Sequence, residues 1–214
     1  MGDVSKILDI SDQMIRYYEK LGVITPKRKG DGKYRYYDAI IVATGSKPLT
    51  PPISGIDCKN VYTAEDVLYG NIHLPQGPVV VCGGGEVGGE TAEFISQTNR
   101  DVTILEMKPQ ILSDIVPPNR VVLVQRMVEQ QIKIITNATV NSITENSISY
   151  KDVEGNKITI PATTVVSAFG YKAYNPLEDI AKSICDEVYV VGSAVKAGNA
   201  LVATKEGYEA ALKL

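Results

Sequence analysis

The spacing of apolar residues changes character along the chain. In the first thirty-eight residues, Ile7, Ile10, Met14, Ile15, Tyr18 and Leu21 recur at helical intervals, which lays an apolar stripe along one side of a helix pair. Asp3 to Leu8 reads as a short helix, Ser11 as the N-cap of a second helix running to Leu21, and Gly22 as the residue that ends it. Two short extended pieces then flank Gly30-Asp31-Gly32, the signal for a tight hairpin. Beyond Asp38 the helical stripe gives way to continuous apolar runs, the mark of strands buried on both faces.

The first such run is AIIVATG, ending in Ala43, Thr44 and Gly45. The next are Val79 to Cys82 and VTILE, ending at Glu106. An amphipathic helix from about Asn119 to Gln130 leads to the strand Ile132 to Ile135. Three short alternating segments follow, with turns at Glu145-Asn146 and Glu154-Gly155-Asn156, then a strand from Thr163 to Ala168 that Gly170 closes. VYVVG, residues 188 to 192, is another buried strand before a helix near Leu201 to Leu214. Strands alternating with helices predict an α/β fold, a Rossmann-like sheet in which an antiparallel β-meander replaces a crossover helix.

The strongest chemical signal is VVVCGGGEVGGETAEF, residues 79 to 94. Gly83, Gly85 and Gly88 have G-x-G-x-x-G spacing between a strand and a helix-forming stretch from Glu90 onward, with Glu86 and Val87 inside the turn. Gly83 serves the tight turn, Gly85 lets backbone approach a pyrophosphate without a Cβ, and Gly88 lets helix and strand pack closely. The unpaired N–H groups of the first helical turn and the helix dipole favour phosphate there. Glu106 ends the second strand about twenty residues on, where a carboxylate accepts from both hydroxyls of an adenosine ribose and repels a 2′-phosphate. NAD(H) is therefore expected in preference to NADP(H), with Lys108 the feature that speaks for the second. Glu90 is expected on the first helical turn, where the helix dipole alone favours an acid.

Composition narrows the field. With 214 residues, 44% hydrophobic and 22% charged, the chain is an ordinary globular protein of one large or two small domains. It has no apolar run of membrane-spanning length and no secretory pattern at its start, so the cytoplasm is the expected location. Cys58, Cys82 and Cys185 are few and far apart, giving no disulfide framework, and with His73 the single histidine no metal site is expected. Cys82 reads as a small core residue. Residues 1–38 hold eight Lys or Arg against six Asp or Glu, whereas the remainder holds fourteen against nineteen. The basic excess sits on the hairpin as Lys27, Arg28, Lys29, Lys33 and Arg35, interleaved with tyrosines, a composition suited to phosphate contacts.

Residues 4–38, VSKILDISDQMIRYYEKLGVITPKRKGDGKYRYYD, resemble the MerR family of transcription regulators through RYYE, LGVITPKR and the wing YRYYD. That likeness implies a winged helix-turn-helix, with Gln13 and Arg16 reading DNA bases and Tyr17, Arg28, Lys29 and Tyr36 holding phosphates. Two features depart from it. Asp12 and Gln13 stand where relatives often carry a basic residue, and no heptad run after Asp38 supplies the dimerising coiled coil.

Residues 37–214 resemble the two-dinucleotide flavoprotein reductases, most closely the C-terminal FAD/NAD module of old yellow enzyme-like dienoyl-CoA reductases. The likeness is carried by IIVATGSKPLTPPISGID, NVYTAEDVL, GGGEVGGETAEF, VTILEMKPQILSD, PPNRVVL, VVSAFGYKAYN and VYVVGSAVKAGNALVATKEGYEAAL. It implies that residues 39–71 and 171–214 are returning segments of an FAD domain, with Thr44 and Gly45 at cofactor-binding positions, around an NAD(H)-binding domain at 72–170. It also places Glu90 near the nicotinamide, while Tyr171 and Tyr174 either cover a cofactor face or end a strand. The family's N-terminal β-α-β unit is replaced by the MerR-like segment 1–38, and its Gly-Asp reads Gly192-Ser193. Both changes count against FAD.

Three functions follow as expectations: an NADH-to-flavin oxidoreductase module, an NADH-responsive DNA-binding regulator, or a fusion in which nucleotide binding alone is intact. The partners they require are NADH, DNA through residues 1–38, a flavin-bearing chain, or a second copy for a dimer.

Overall fold

The computed structural model describes residues 11–21, 27–29, 34–36 and 38–214. In chain order the strands are β1 (Lys27–Lys29), β2 (Tyr34–Tyr36), β3 (Ala39–Val42), β4 (Ser46–Pro48), β5 (Val61–Thr63), β6 (Val79–Cys82), β7 (Val102–Leu105), β8 (Lys133–Ile135), β9 (Thr139–Ile143), β10 (Ser147–Lys151), β11 (Lys157–Pro161), β12 (Thr164–Ser167), β13 (Tyr171–Ala173) and β14 (Glu187–Val190). The helices are α1 (Asp12–Lys20), α2 (Ala64–Leu68), α3 (Glu86–Ser96), α4 (Pro117–Glu129), α5 (Glu178–Ile184) and α6 (Ala200–Ala211). The chain divides into two compact units, residues 1–47 with 172–214, and residues 48–171.

Residues 48–171 contain a five-stranded parallel sheet in the order β5-β12-β6-β7-β8. Central β6 is buried along its whole length. Because successive side chains of a strand point to opposite faces, Val79 and Val81 join one core with Ala92, Ile95, Leu123 and Met127 of α3 and α4, while Val80 and Cys82 join another with Ile143, Ile148 and Tyr150 of the meander. Each fully buried aliphatic side chain of this kind contributes roughly 1.5–3 kcal/mol. The meander, β11-β10-β9, is antiparallel, with a register shift between Ser149 and Tyr150. It connects β8 to β12, so the α/β Rossmann-like pattern with a meander in place of a crossover helix is as the sequence predicts.

Two expectations need correction. Helix α3 begins at Glu86, with Gly85 as its N-cap, four residues before the predicted start. Gly88 and Gly89 are poor helix formers, but both are buried within α3, and packing outweighs their propensity. Glu90 therefore lies on the second helical turn. The compact unit runs from Pro48 to Tyr171, with β5 paired to β12, while the resemblance sets the start of the NAD(H)-binding domain at residue 72. Finally, β3 is not a fully buried strand: Ile41 is 40% exposed, since β3 belongs to a two-stranded sheet with β14.

In the unit of residues 1–47 and 172–214, β3 and β14 run parallel in register from Ala39↔Glu187 to Val42↔Val190. A 3-10 turn at Gly192–Ala194 leads towards α6, whose N-cap Asn199 accepts from the Val202 N–H. Helix α1 starts one residue after Ser11. Strands β1 and β2 pair antiparallel with Lys27 opposite Tyr36 and Lys29 opposite Tyr34. The predicted helix from Asp3 to Leu8, the turn itself and Gly22 lie outside the described residues.

Candidate dinucleotide site

Strand β6 delivers the chain into the glycine turn at the carboxyl edge of the sheet, where ligands bind in folds of this type. Gly83 has φ +110°, a conformation side-chain-bearing residues rarely adopt, and a Cβ there would collide with the Ala168 carbonyl. Its N–H donates to the Leu105 carbonyl at 2.8 Å. A Cβ at Gly88 would collide with the Gly83 carbonyl, so helix α3 sits on the turn more closely than any other residue allows. Gly85, by contrast, has φ −71° and is not held by backbone strain. A Cβ there would meet the carboxylate of Asp114, 3.0 Å from Oδ2.

Two carboxylates face this turn. Glu106 follows β7 and is 7% exposed. The Gly84 N–H donates to its Oε2 at 2.6 Å and the Lys108 N–H donates to its Oε1 at 2.8 Å. These two bonds fix the carboxylate orientation, and each oxygen keeps a further lone pair for a hydroxyl. Asp114 lies on the loop before α4. The Glu86 N–H, at the first position of α3, is 3.1 Å from both its oxygens.

Gly83, Gly85, Glu106, Met107, Lys108, Asp114 and Gly170 line one cleft of about 440 Å³, closed by apolar Pro51, Ile53, Leu105, Ala138, Val140 and Phe169. The volume falls in the range of small-ligand sites, and the mixture of an apolar wall with a few converging polar groups is typical of them. Gly170, at φ +95°, closes the carboxyl end of β12 and accepts from the Leu49 N–H at 2.8 Å. A smaller recess beside the cleft is lined by Val87, Ala64, Glu65, Ala168, Gly170 and Tyr171. Burial, followed by the adjacent Glu65 carboxylate, holds the Tyr171 phenol above its usual range.

Of the residues singled out from sequence, Gly83, Gly85, Glu106 and Gly170 meet in the cleft, Val87 lines the recess, and Gly88 supports the turn. Glu86 contributes its N–H, while its side chain and that of Glu90 are exposed. Thr44 and Gly45 belong to the other unit, where Thr44 Oγ1 donates to the Tyr174 carbonyl at 2.6 Å and the Tyr174 N–H donates to the Gly45 carbonyl at 3.0 Å. Lys47 Nζ lies 3.5 Å from the centre of the Tyr174 ring. Gln13, Arg16 and Tyr17 are exposed on α1, spaced three and four residues apart as one helical face requires. Arg28 and Lys29 are on β1 and Tyr36 on β2.

The sequence reading missed Asp114, Gly84 and the Glu65–Tyr171 pair. Asp114 lies within VTILEMKPQILSD, but its partner Glu86 is 28 residues away and no local spacing announces the contact. A Cβ at Gly84 would come within 2.7 Å of Ile111, which explains a glycine at the variable position between Gly83 and Gly85. Among the described residues no group of three or more His, Cys, Asp or Glu could hold a metal ion, and no helix is long and apolar enough to cross a membrane.

The sequence model of the pyridine nucleotide-disulphide oxidoreductase family matches residues 8–207. Most of the segment that resembles MerR regulators falls inside that match. Among curated relatives, an NADH oxidase of Thermoanaerobacter brockii is 34% identical over 181 residues, covering 83% of this chain and 28% of its own length. A bilirubin reductase of Mediterraneibacter gnavus is 36% identical over 179 residues, covering 81% of this chain and 27% of its own. Among solved structures, a 2-naphthoyl-CoA reductase superposes with a TM-score of 0.76 at 32% identity, covering 83% of this chain and 27% of that one. The chain thus spans between a quarter and a third of the length of these relatives.

Proposed function

Because the chain belongs to the pyridine nucleotide-disulphide oxidoreductase family, we propose that its glycine turn and cleft bind NAD(H) as the hydride-donating half of a flavoprotein reductase. The observation that carries this reading is the convergence of the Gly83 turn, the amino end of α3 and the Glu106 carboxylate on one cleft. In it, N–H groups at the start of α3 hold the pyrophosphate, where the helix dipole favours anions. Glu106, already oriented by two backbone donors, accepts from the adenosine ribose hydroxyls, and the apolar wall formed by Ile53, Val140 and Phe169 takes the adenine. Carboxylate against a 2′-phosphate gives the preference for NADH over NADPH. The nicotinamide supplies the hydride, and the recess beside Val87, Glu65 and Tyr171 is the place that excludes water around it.

The family implies NAD(P)H and FAD together, so the argument against FAD from Ser193 is not upheld. The chain's own residues fit a flavin better than its sequence suggests. Ser193 Oγ is engaged with Gly198, but Glu206 Oε2 accepts from the Gly192 N–H at 2.6 Å, so a carboxylate from α6 stands at the turn where the resemblance expects Asp. The motifs of residues 37–214 further support an FAD/NAD module of the old yellow enzyme-like type, with residues 39–71 and 171–214 contributing to the flavin side and 72–170 to NAD(H), Thr44 and Gly45 lying on the flavin side. A flavin-bearing partner chain would complete the same chemistry. NADH-dependent reduction of a dye with FAD added tests the reading: turnover that disappears in Gly85→Val supports it, and no turnover from any flavin-supplemented preparation overturns the reductase assignment.

A second reading rests on the exposed Gln13, Arg16 and Tyr17 of α1 together with the antiparallel β1–β2 hairpin. We infer from these and the MerR-like motifs a DNA-binding head, with Arg28, Lys29 and Tyr36 on the hairpin holding phosphates, that a dimer would use in response to NADH. Retention on duplex DNA that steepens with falling salt, and is lost in Arg16→Ala, supports it; wild-type protein that passes a DNA column at low salt removes it.

A further inference from the structure

The end of α3 that faces the cleft already holds an anion supplied by the chain itself. Both oxygens of Asp114 are 3.1 Å from the Glu86 N–H, and Oδ2 lies over the face of Gly85 that the missing side chain leaves bare. This placement is built into the loop. Leu112, two residues earlier, is fully buried and has φ +55°, a left-handed conformation that a leucine adopts only when its surroundings enforce it. Its N–H donates to the Gly84 carbonyl at 2.6 Å, and the Ile115 N–H donates back to the Leu112 carbonyl at 3.3 Å. The Leu112 side chain lies against Gly89, where a Cβ would come within 2.5 Å of it. A strained, buried leucine thus ties the loop to the glycine turn and sets Asp114 across the helix end.

We propose that Asp114 is an internal competitor for the dinucleotide pyrophosphate, an affinity-setting residue that must leave the Glu86 N–H before the phosphates can take it. The proposal rests on the dinucleotide reading of this cleft. The N–H groups at a helix start and the partial positive charge of its dipole favour one anionic group at that place. A pyrophosphate arriving beside a seated carboxylate meets like charge at short range, inside a cleft where Glu106 is a second acid and Lys108 the one cation among the described lining residues. Rotation about the Asp114 side chain removes the conflict without moving the backbone that Leu112 anchors. The free energy of breaking its contact with Glu86 is subtracted from binding, so the site holds phosphate-bearing ligands less tightly than its glycines alone would, and releases them sooner.

The test is a comparison of NADH, ADP-ribose and adenosine binding to wild type, Asp114→Ala and Asp114→Asn. The expected result is about tenfold tighter binding of NADH and ADP-ribose by Asp114→Ala, equivalent to ~1.4 kcal/mol, with adenosine unchanged because it carries no phosphate. Asp114→Asn keeps an acceptor for the Glu86 N–H but loses the charge, so its gain should be smaller than that of Asp114→Ala, and it serves if removal of the cap in Asp114→Ala costs the fold. Variants that bind NADH no more tightly than a wild type that binds it overturn the competitor and leave the dinucleotide site standing. An equal gain for adenosine also overturns it. Failure of wild type and both variants to bind NADH or ADP-ribose overturns the dinucleotide reading, and the competitor with it.

Discussion

Gly88 and Cys82 show how closely single residues are constrained around the turn. A methyl group at Gly88 would collide with the Gly83 carbonyl and press on the Ala168 side chain, and neither backbone can give way without moving α3 off the sheet. Gly88→Ala should therefore destabilise the protein by about 1–3 kcal/mol, the usual cost of overpacking, read as a lower urea midpoint. Cys82 is fully buried, and that burial pushes its thiol from the ordinary 9.0 up to about 12. Its folded form is the neutral one. Below about pH 9 the thiol is protonated in both states and pH has no leverage. Above that the unfolded chain ionises first, so stability falls with rising pH by up to ~1.4 kcal/mol per unit until the folded thiol also titrates. The loss of stability between pH 8 and 10 should be smaller in Cys82→Ala than in wild type; equal losses would mean that the thiol is not sealed as its burial indicates. Glu106→Gln is expected to weaken NADH binding about tenfold and to narrow the gap between NADH and NADPH, since it removes one charged acceptor and the repulsion of a 2′-phosphate. Titration of both nucleotides checks it.

At the scale of elements, short helices depend on their ends. Helix α2 has a reciprocal cap in which Thr63 Oγ1 accepts from the Asp66 N–H at 3.1 Å and Asp66 accepts from the Thr63 N–H at 3.3 Å. Thr63→Ala should cost about 1 kcal/mol by denaturant unfolding, and because α2 lines the recess through Ala64 and Glu65, it should also loosen the region around Tyr171. Elements of this kind differ in how far they can be read from sequence. The β6 strand, the meander and the long helices announce themselves by periodicity or by unbroken apolar runs. The start of α3 does not, because Gly88 and Gly89 look like breakers until the Gly83 carbonyl and the side chains of Leu112 and Met127 are seen against them. Strand β5 has three residues, too few for a period, so its place beside β12 is settled by tertiary pairing. Glu106 was legible because its distance from the glycines is a property of one strand-helix-strand unit. Asp114 was not, because a loop conformation imposed by Leu112 decides where it points.

At the scale of the whole molecule, the chain joins a Rossmann-like unit, residues 48–171, to a second unit assembled from both ends of the sequence. The relatives compared above are several times longer, and the function we propose rests on the turn at Gly83 to Gly88 acting as a dinucleotide site. The direct test is equilibrium titration of NADH followed by nicotinamide fluorescence, on wild type and on Gly85→Val. Gly85 has an unstrained φ of −71° and its missing Cβ faces only the movable end of Asp114, so the variant should keep its fold while obstructing the phosphates. Saturable binding by wild type, weaker for NADPH and lost in a Gly85→Val protein with an unchanged circular dichroism spectrum, is the result expected. A folded wild type that shows no saturable binding, or a Gly85→Val variant that binds NADH as wild type does, would contradict the account.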